Sequence, residues 1–255
     1  GVCVGHHAVL EDAAHLSVLP PANGGCGGQG ATVADTATQF AASHVPTADG
    51  GSSQCRVATN AGFFNTGTFG CYGSLVSDGL LLQVGSAATA HFGVRKSGHL
   101  VVGHVPDEDV NDGEWDTLVG GVVWLVRNGS VLVNVDSEDF SNQETGLGET
   151  FSTVHSGRTA LGFDAQGRVV LVQVDGRSWV RGVSLHEFAE LLVRLGVVSA
   201  INLDGGGSST WTQDAVVTNY PTYLCPDDPG GDTYRCARNV TSIVCLHDSV
   251  EAVAS

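Results

Sequence analysis

Val197-Val198-Ser199-Ala200-Ile201-Asn202-Leu203-Asp204-Gly205-Gly206-Gly207-Ser208-Ser209-Thr210 is the stretch on which the reading of this chain turns. Its apolar opening predicts a buried strand. One carboxylate stands at the strand's end, and three glycines and three hydroxyl residues follow it. Glycine has no Cβ, so the backbone can take unusual dihedrals and a ligand can approach it closely. Freed N–H groups beside hydroxyls form a natural cradle for an anion. The alternative is a plain tight turn in which Asp204 bonds its own backbone. Three consecutive glycines exceed what such a turn needs.

The elements on either side build outward from that strand. Ser184 to Leu195 predicts a helix, with Leu185, Phe188, Ala189, Leu192 and Leu195 on one face and Gly196 as its stop. Ser184-Leu185-His186-Glu187 has the spacing of a capping box. Glu187 therefore has two readings, a cap residue or a carboxylate carried toward the site by the helix that feeds the Asp204 strand. Thr159 to Phe163 and Val169 to Val174 predict a hairpin around Asp164-Ala165-Gln166-Gly167. Arg158 opens its first strand and Asp175-Gly176-Arg177 closes its second. Arg158 could clamp a phosphate in bidentate fashion or join a surface ion pair. Asp175, before a glycine, reads as a turn residue first and a site residue second.

Val119 to Val126, Asn128-Gly129 and Val131 to Val135 predict another hairpin. Cys55 to Thr59 reads as a strand leading into Asn60-Ala61-Gly62-Phe63-Phe64. There Asn60 could bind sugar hydroxyls, and the phenylalanines could pack on a sugar face or simply fill the core. Thr32 could cap a helix reaching Ala42. Further strands are expected near 15–19, 80–84, 91–95, 99–105, 215–218 and 240–246. Residues 136–153, acidic and polar, read as a surface excursion. The sum is an α+β chain, β-rich and mixed, with two main helices and one domain over residues 1–255.

Composition bounds the function. The chain has 255 residues, enough for a sizeable core, with 42% hydrophobic and 15% charged residues. Its formal net charge is −16, from 11 Lys and Arg against 27 Asp and Glu. No basic patch of the kind nucleic-acid binders carry is visible, and an anionic lipid surface is disfavoured for the same reason. Scarce cations make each arginine near a suspected site more informative. No apolar run of about 18 residues occurs, so nothing in this stretch is expected to span a membrane. No signal peptide is recognisable, and the chain reads as a mature or trimmed fragment. The ten histidines show no HExxH spacing, which disfavours a catalytic zinc. The chain has no P-loop, dinucleotide fingerprint or GxSxG elbow. The acidic loops leave room for a structural calcium.

Seven cysteines occur, none in a CxxC pair. Several lie in Gly- or Pro-rich loops, as in disulfide-stapled secreted proteins. Seven permits three bridges and one spare, for which Cys3 at the terminus is the natural choice. Cys225 and Cys236 flank a loop with no core of its own, and closing such a loop contributes on the order of 3 kcal/mol. Asn128-Gly129-Ser130 and Asn239-Val240-Thr241 are glycosylation sequons, although Asn128-Gly129 also suits a hairpin turn.

Taken in order, several segments resemble the phosphodiester glycosidase family: Leu16 to Pro20, Gly24-Gly25-Cys26, Asn60 to Phe64, Gly121 to Gly129, Arg158-Thr159-Ala160, Asn202 to Thr210, Tyr220 to Cys225, Tyr234-Arg235-Cys236 and Val240 to His247. The resemblance covers nearly the whole chain. It implies removal of a capping N-acetylglucosamine from a phosphodiester, leaving mannose 6-phosphate exposed, with a phosphorylated glycan as the partner. It implies a place in the lumen of the secretory pathway, Golgi-type, or outside the cell, and no required cofactor. It also implies the pairings Cys26–Cys71, Cys55–Cys245 and Cys225–Cys236.

On this basis Asp204 or Glu187 is expected as nucleophile or water-activating base. Arg158, Ser208, Ser209 and the amides of Gly205, Gly206 and Gly207 would hold the phosphate. Asn60, Thr159 and Asp175 complete the expected substrate-binding set. Two carboxyls about 5 Å apart would imply retention, and about 6.5–9.5 Å inversion. The alternatives are a related glycosidase acting on another sugar phosphodiester, a sugar-phosphate-binding module without turnover and a metal-dependent phosphodiesterase. The last needs a carboxylate/histidine cluster that the sequence does not show.

Overall fold

The computed structural model describes residues 4–43, 54–85, 89–140, 146–228, 234–247 and 250–254. Strand-forming runs dominate, and all named strand pairs are antiparallel. A seven-stranded sheet has the order Ser130–Val131, Trp124–Arg127, Val197–Leu203, Arg158–Asp164, Val169–Val174, Gly5–Leu10, Val250–Ala254. A five-stranded sheet has the order Val216–Val217, Trp211–Gln213, Cys55–Asn60, Ile243–His247, Leu16–Leu19. A second five-stranded sheet has the order Leu80–Gln83, Leu75–Ser77, Trp115–Gly120, Ala90–Arg95, Leu100–His104. Tyr223–Leu224 and Tyr234–Cys236 form a small separate ribbon.

Side-chain alternation explains how the sheets stack. Leu161, Leu171, Ile201 and Leu203 of the seven-stranded sheet point into a core shared with Leu16, Val57 and Val244 of the second sheet and Phe92 and Val119 of the third. The residues between them, Ala160, Val170, Val172 and Ala200, face the other way, onto Leu185, Phe188, Ala189 and Leu192. Both faces of the central strands are thus covered, which is why they read as unbroken apolar runs. The helices are α1 (Val33–Ser43), α2 (Asp107–Val110), α3 (Gly148–Thr153) and α4 (Leu185–Arg194). α1 packs over the second sheet's outer face through Val33 and Ala37.

α1 starts as expected: the Asp35 N–H donates to Thr32 Oγ1 at 3.1 Å, and the Thr32 hydroxyl donates to Asp35 Oδ2 at 2.7 Å. α4 carries a complete capping box between Ser184 and Glu187. All three expected disulfides are present. Cys3 lies outside the described residues.

Three expectations need correction. The 119–126 run is not one strand: it ends in the third sheet at Gly120, turns through Val123 at φ +76°, and resumes in the seven-stranded sheet at Trp124. Gly121 permits that crossing, because a Cβ there would stand 2.3 Å from Asn202 O. The Asn128-Gly129 turn forms with both residues at positive φ, 51° and 69°, but its second strand is only Ser130–Val131. Residues 136–153 are not a plain surface excursion, since Glu138 and Phe151 are buried and α3 packs on α4; residues 141–145 lie outside the described set. Gly5–Leu10, assigned no element from the sequence, is an inner strand pairing with Val169–Val174 and Val250–Ala254.

Candidate active site

Register brings the site together. Thr159 pairs with Leu203 across the antiparallel strands, so the next residue outward on each strand, Arg158 and Asp204, emerges at the same end of the sheet. Both line one cavity of about 280 Å³. Phe63 and Phe64 form part of its wall, and Thr150, Phe151 and Val154 bring α3 and its exit to another part. Ser156, Ser178, Trp179, Gly205, Gly206, Gly207 and Arg238 complete most of the rest. The Phe63 and Phe151 rings meet edge to face at 6.0 Å, giving the cavity an apolar side.

The triglycine segment is a tight 3-10 turn over Gly206–Ser208. A Cβ on Gly205 would stand 2.4 Å from Gly157 O, so only glycine lets the two backbones approach this closely. The Gly206 N–H donates to Gly157 O at 2.9 Å, and the Gly205 N–H donates to Asp204 Oδ1 at 2.8 Å. Two amides expected to grip an anion are therefore engaged in shaping the turn and orienting the carboxylate. The Asp204 N–H donates to Ala61 O at 3.0 Å, and Asn60 Nδ2 donates to Asp204 O.

Asn60 and Thr159 lie behind the cavity, not on its surface. Both are buried, and Asn60 Oδ1 accepts from the Thr159 hydroxyl and the Thr210 N–H, each at 3.3 Å. They fix the main chain that carries Asp204. Ser208 and Ser209 are likewise buried and outside the lining. Ser208 Oγ accepts from Arg238 Nη1 at 3.2 Å, so it orients an arginine that does line the cavity. Asp175 faces the adjoining loop, accepting from Asn219 Nδ2 at 2.8 Å, Gln173 Nε2 at 3.0 Å and the Tyr220 N–H at 3.1 Å.

Glu187 also sits outside the lining. Its Oε2 accepts from the Ser184 N–H at 2.8 Å and lies 3.0 Å from His155 Nε2. The Ser184 N–H, with His155 contributing less, holds the carboxyl below its ordinary pKa.

The electrostatics set Arg158 apart. The residue is 2% exposed, and its guanidinium donates to Phe151 O at 2.9 Å, Val154 O at 2.7 Å and Val183 O at 3.2 Å. No carboxylate pairs with it among the described residues. Burial lowers its pKa to about 10, so it remains a cation at neutral pH. A buried cation answered only by neutral carbonyls is costly, and an incoming anion relieves that cost. Arg238 adds a second cation, its guanidinium 4.6 Å over the Tyr223 ring. Within a chain of net charge −16, two arginines against one aspartate make the cavity locally positive.

Arg238 and Trp179 have no assigned role in the sequence reading. Each sits beside a segment already singled out, Arg238 just after Tyr234-Arg235-Cys236 and Trp179 just after Asp175-Gly176-Arg177. The scarcity of cations was the available signal for Arg238. One trio of potential metal ligands comes together among the described residues, Cys55, Cys245 and His247, and its two sulfurs are tied to each other as a disulfide.

One carboxylate, Asp204, and two arginines, Arg158 and Arg238, thus line a cavity with an aromatic side in a disulfide-stapled, β-rich domain. Comparison with known proteins gives the family. The family model described as phosphodiester glycosidase matches residues 53–246. The N-acetylglucosamine-1-phosphodiester alpha-N-acetylglucosaminidase of Bos taurus is 41% identical over 240 residues, covering 91% of this chain and 42% of its own length. That of Homo sapiens is 40% identical over 246 residues, covering 94% of this chain and 44% of its own. The zebrafish enzyme's catalytic domain, auto-inhibited by its pro-peptide, superposes with a TM-score of 0.78 at 31% identity, over 98% of this chain and 85% of that one. This chain belongs to the phosphodiester glycosidase family. It spans less than half the length of these two curated relatives.

Proposed function

We propose that this chain is a glycosidase acting on sugar 1-phosphodiesters, removing terminal α-linked N-acetylglucosamine from GlcNAc-1-phospho-6-mannose and exposing mannose 6-phosphate. The observation that carries the proposal is the meeting of Asp204 and Arg158 at one sheet end, lining one cavity. The names of the full-length relatives and of the zebrafish catalytic domain support the choice of sugar and linkage.

The residue set suits that bond. It joins the anomeric carbon to a phosphate oxygen, and a phosphate monoester is already a good leaving group. Ordinary glycosidases use a second carboxyl to protonate the leaving oxygen. Among the described residues this cavity is lined by one carboxylate, Asp204, and a phosphate leaving group makes a proton donor dispensable. Arg158 and Arg238 take up the charge gathering on the departing phosphate, the main electrostatic demand of the transition state. Asp204 acts at the anomeric carbon, as nucleophile or as base for the attacking water. Asn60 and Thr159 serve as positioning residues for it.

Incubating the protein with GlcNAc-1-phospho-6-mannose and assaying free N-acetylglucosamine tests this. Release that resists a chelator and falls at least about 100-fold in Asp204→Asn supports the proposal. Binding of the diester without release would make the domain a sugar-phosphate-binding module. The lumen of the secretory pathway is the proposed setting, on the strength of three disulfides and of sequons whose Asn128 and Asn239 are exposed.

A further inference from the structure

Trp179 is hard to account for by folding alone. It lines the cavity yet is 75% exposed, the most exposed of the large side chains there. Its φ is +68°, a backbone region that bulky residues rarely occupy. Glycine or asparagine would suit the position better, and no aromatic or cation contact engages the indole among the described residues. The protein thus carries backbone strain and an exposed apolar ring with no return in its own packing. Strain and exposure persisting together at a cleft are the mark of a ligand contact.

The segment bearing the ring is held firmly. The Arg177 N–H donates to Arg181 O and the Arg181 N–H to Arg177 O, both at 2.9 Å, closing a small hairpin with Trp179 near its tip. The Trp179 N–H donates to His155 O at 3.0 Å. Arg181 lies 5.1 Å over the Tyr220 ring, which also meets Arg235 at 5.2 Å. An aromatic face fixed in advance at a rim loses little entropy when a flat apolar surface settles on it.

We propose that Trp179 is a stacking platform for the second sugar of the substrate, the hexose that leaves attached to the phosphate. This deepens the reading given above and rests on it. A diester whose reacting sugar sits against Asp204 must lead its other alcohol out of the cavity mouth, where the exposed indole stands. Indole faces bind the apolar C–H face of a pyranose, and the arginine–tyrosine stack beside it keeps the platform rigid and the surroundings cationic.

Binding measurements that need no turnover test it. Trp115 and Trp211 are buried, so Trp179 is the indole best placed to report a ligand by its fluorescence. Wild type, Trp179→Ala and Trp179→Tyr are titrated with mannose 6-phosphate and with inorganic phosphate, following fluorescence and, in parallel, calorimetry. The expected result is at least a tenfold weaker Kd for mannose 6-phosphate in Trp179→Ala, near wild-type binding in Trp179→Tyr, and an unchanged Kd for inorganic phosphate in all three. The melting temperature of Trp179→Ala should not fall. Equal affinity of wild type and Trp179→Ala for mannose 6-phosphate overturns the platform, as does a parallel loss of both ligands. If Trp179-dependent binding is found but no hydrolysis, the platform stands and only the proposed reaction fails.

Discussion

The strand Arg158–Asp164 has two ends, each with an arginine and an aspartate close by, and the two ends have opposite fates. At the far end, Asp164 accepts from the Gln166 N–H at 2.9 Å, the Arg168 N–H at 3.0 Å and Arg168 Nε at 2.7 Å, while Arg168 also reaches Glu11 at 3.1 Å. Charge and turn satisfy each other within five residues of sequence and one neighbour. At the near end the aspartate comes from a different strand, the arginine is sealed among carbonyls, and a cavity adjoins both. Charges neutralised on the spot hold a fold together. A buried arginine that no carboxylate answers among the described residues suits an anion that arrives from outside.

That contrast is most exposed to failure at the two aspartates. Asp204→Asn should lower hydrolysis at least about 100-fold while leaving urea stability nearly unchanged. Asp164→Asn should do the reverse, keeping turnover and losing on the order of 1 kcal/mol as its backbone donors lose a charged acceptor. Matching effects on activity would erase the distinction. Next come the arginines. Arg158→Met should cost about 100-fold in turnover and lower the urea midpoint only modestly, because removing a buried cation offsets part of what the carbonyls of Phe151, Val154 and Val183 lose with their donor. Arg168→Met should leave turnover intact with a small loss of stability.

The smallest effect sharpens the boundary of the open end. Glu187→Ala should keep turnover within about twofold and cost roughly 0.5–1 kcal/mol of helix capping, read by thermal melts across pH. The Glu187 carboxyl is held below the ordinary glutamate range, so its contribution is full at neutral pH. It is lost as pH falls through that lowered value, and the wild-type and variant melting curves should converge in acid. A 100-fold loss of turnover would return Glu187 to the chemistry.

Much of this was legible in the sequence, and the gaps have a common cause. Local rules located α4, its capping box, the Val197–Leu203 strand and the Asn128-Gly129 turn, because caps, periodicity and turn residues act within a few positions. Asp204 stood out through its glycines, and Arg158 through the rarity of cations. Sheet membership is not local: nothing in the run 119–126 announces that the chain changes sheets at Gly121, where the constraint is the approach of Asn202. The same holds for α3, whose polar sequence hides that Phe151 closes the cavity, and for Arg238, which arrives from a distant ribbon. Asn60 and Thr159 showed their polarity but not that they face the back of the Asp204 turn.

Hydrolysis of GlcNAc-1-phospho-6-mannose in ¹⁸O-labelled water tests the central claim most directly. If Asp204 works at the anomeric carbon while the arginines hold a departing phosphate, the label appears on C1 of the freed N-acetylglucosamine and none enters mannose 6-phosphate. Label in the phosphate would mean that the P–O bond is the one cleaved, and would contradict the account.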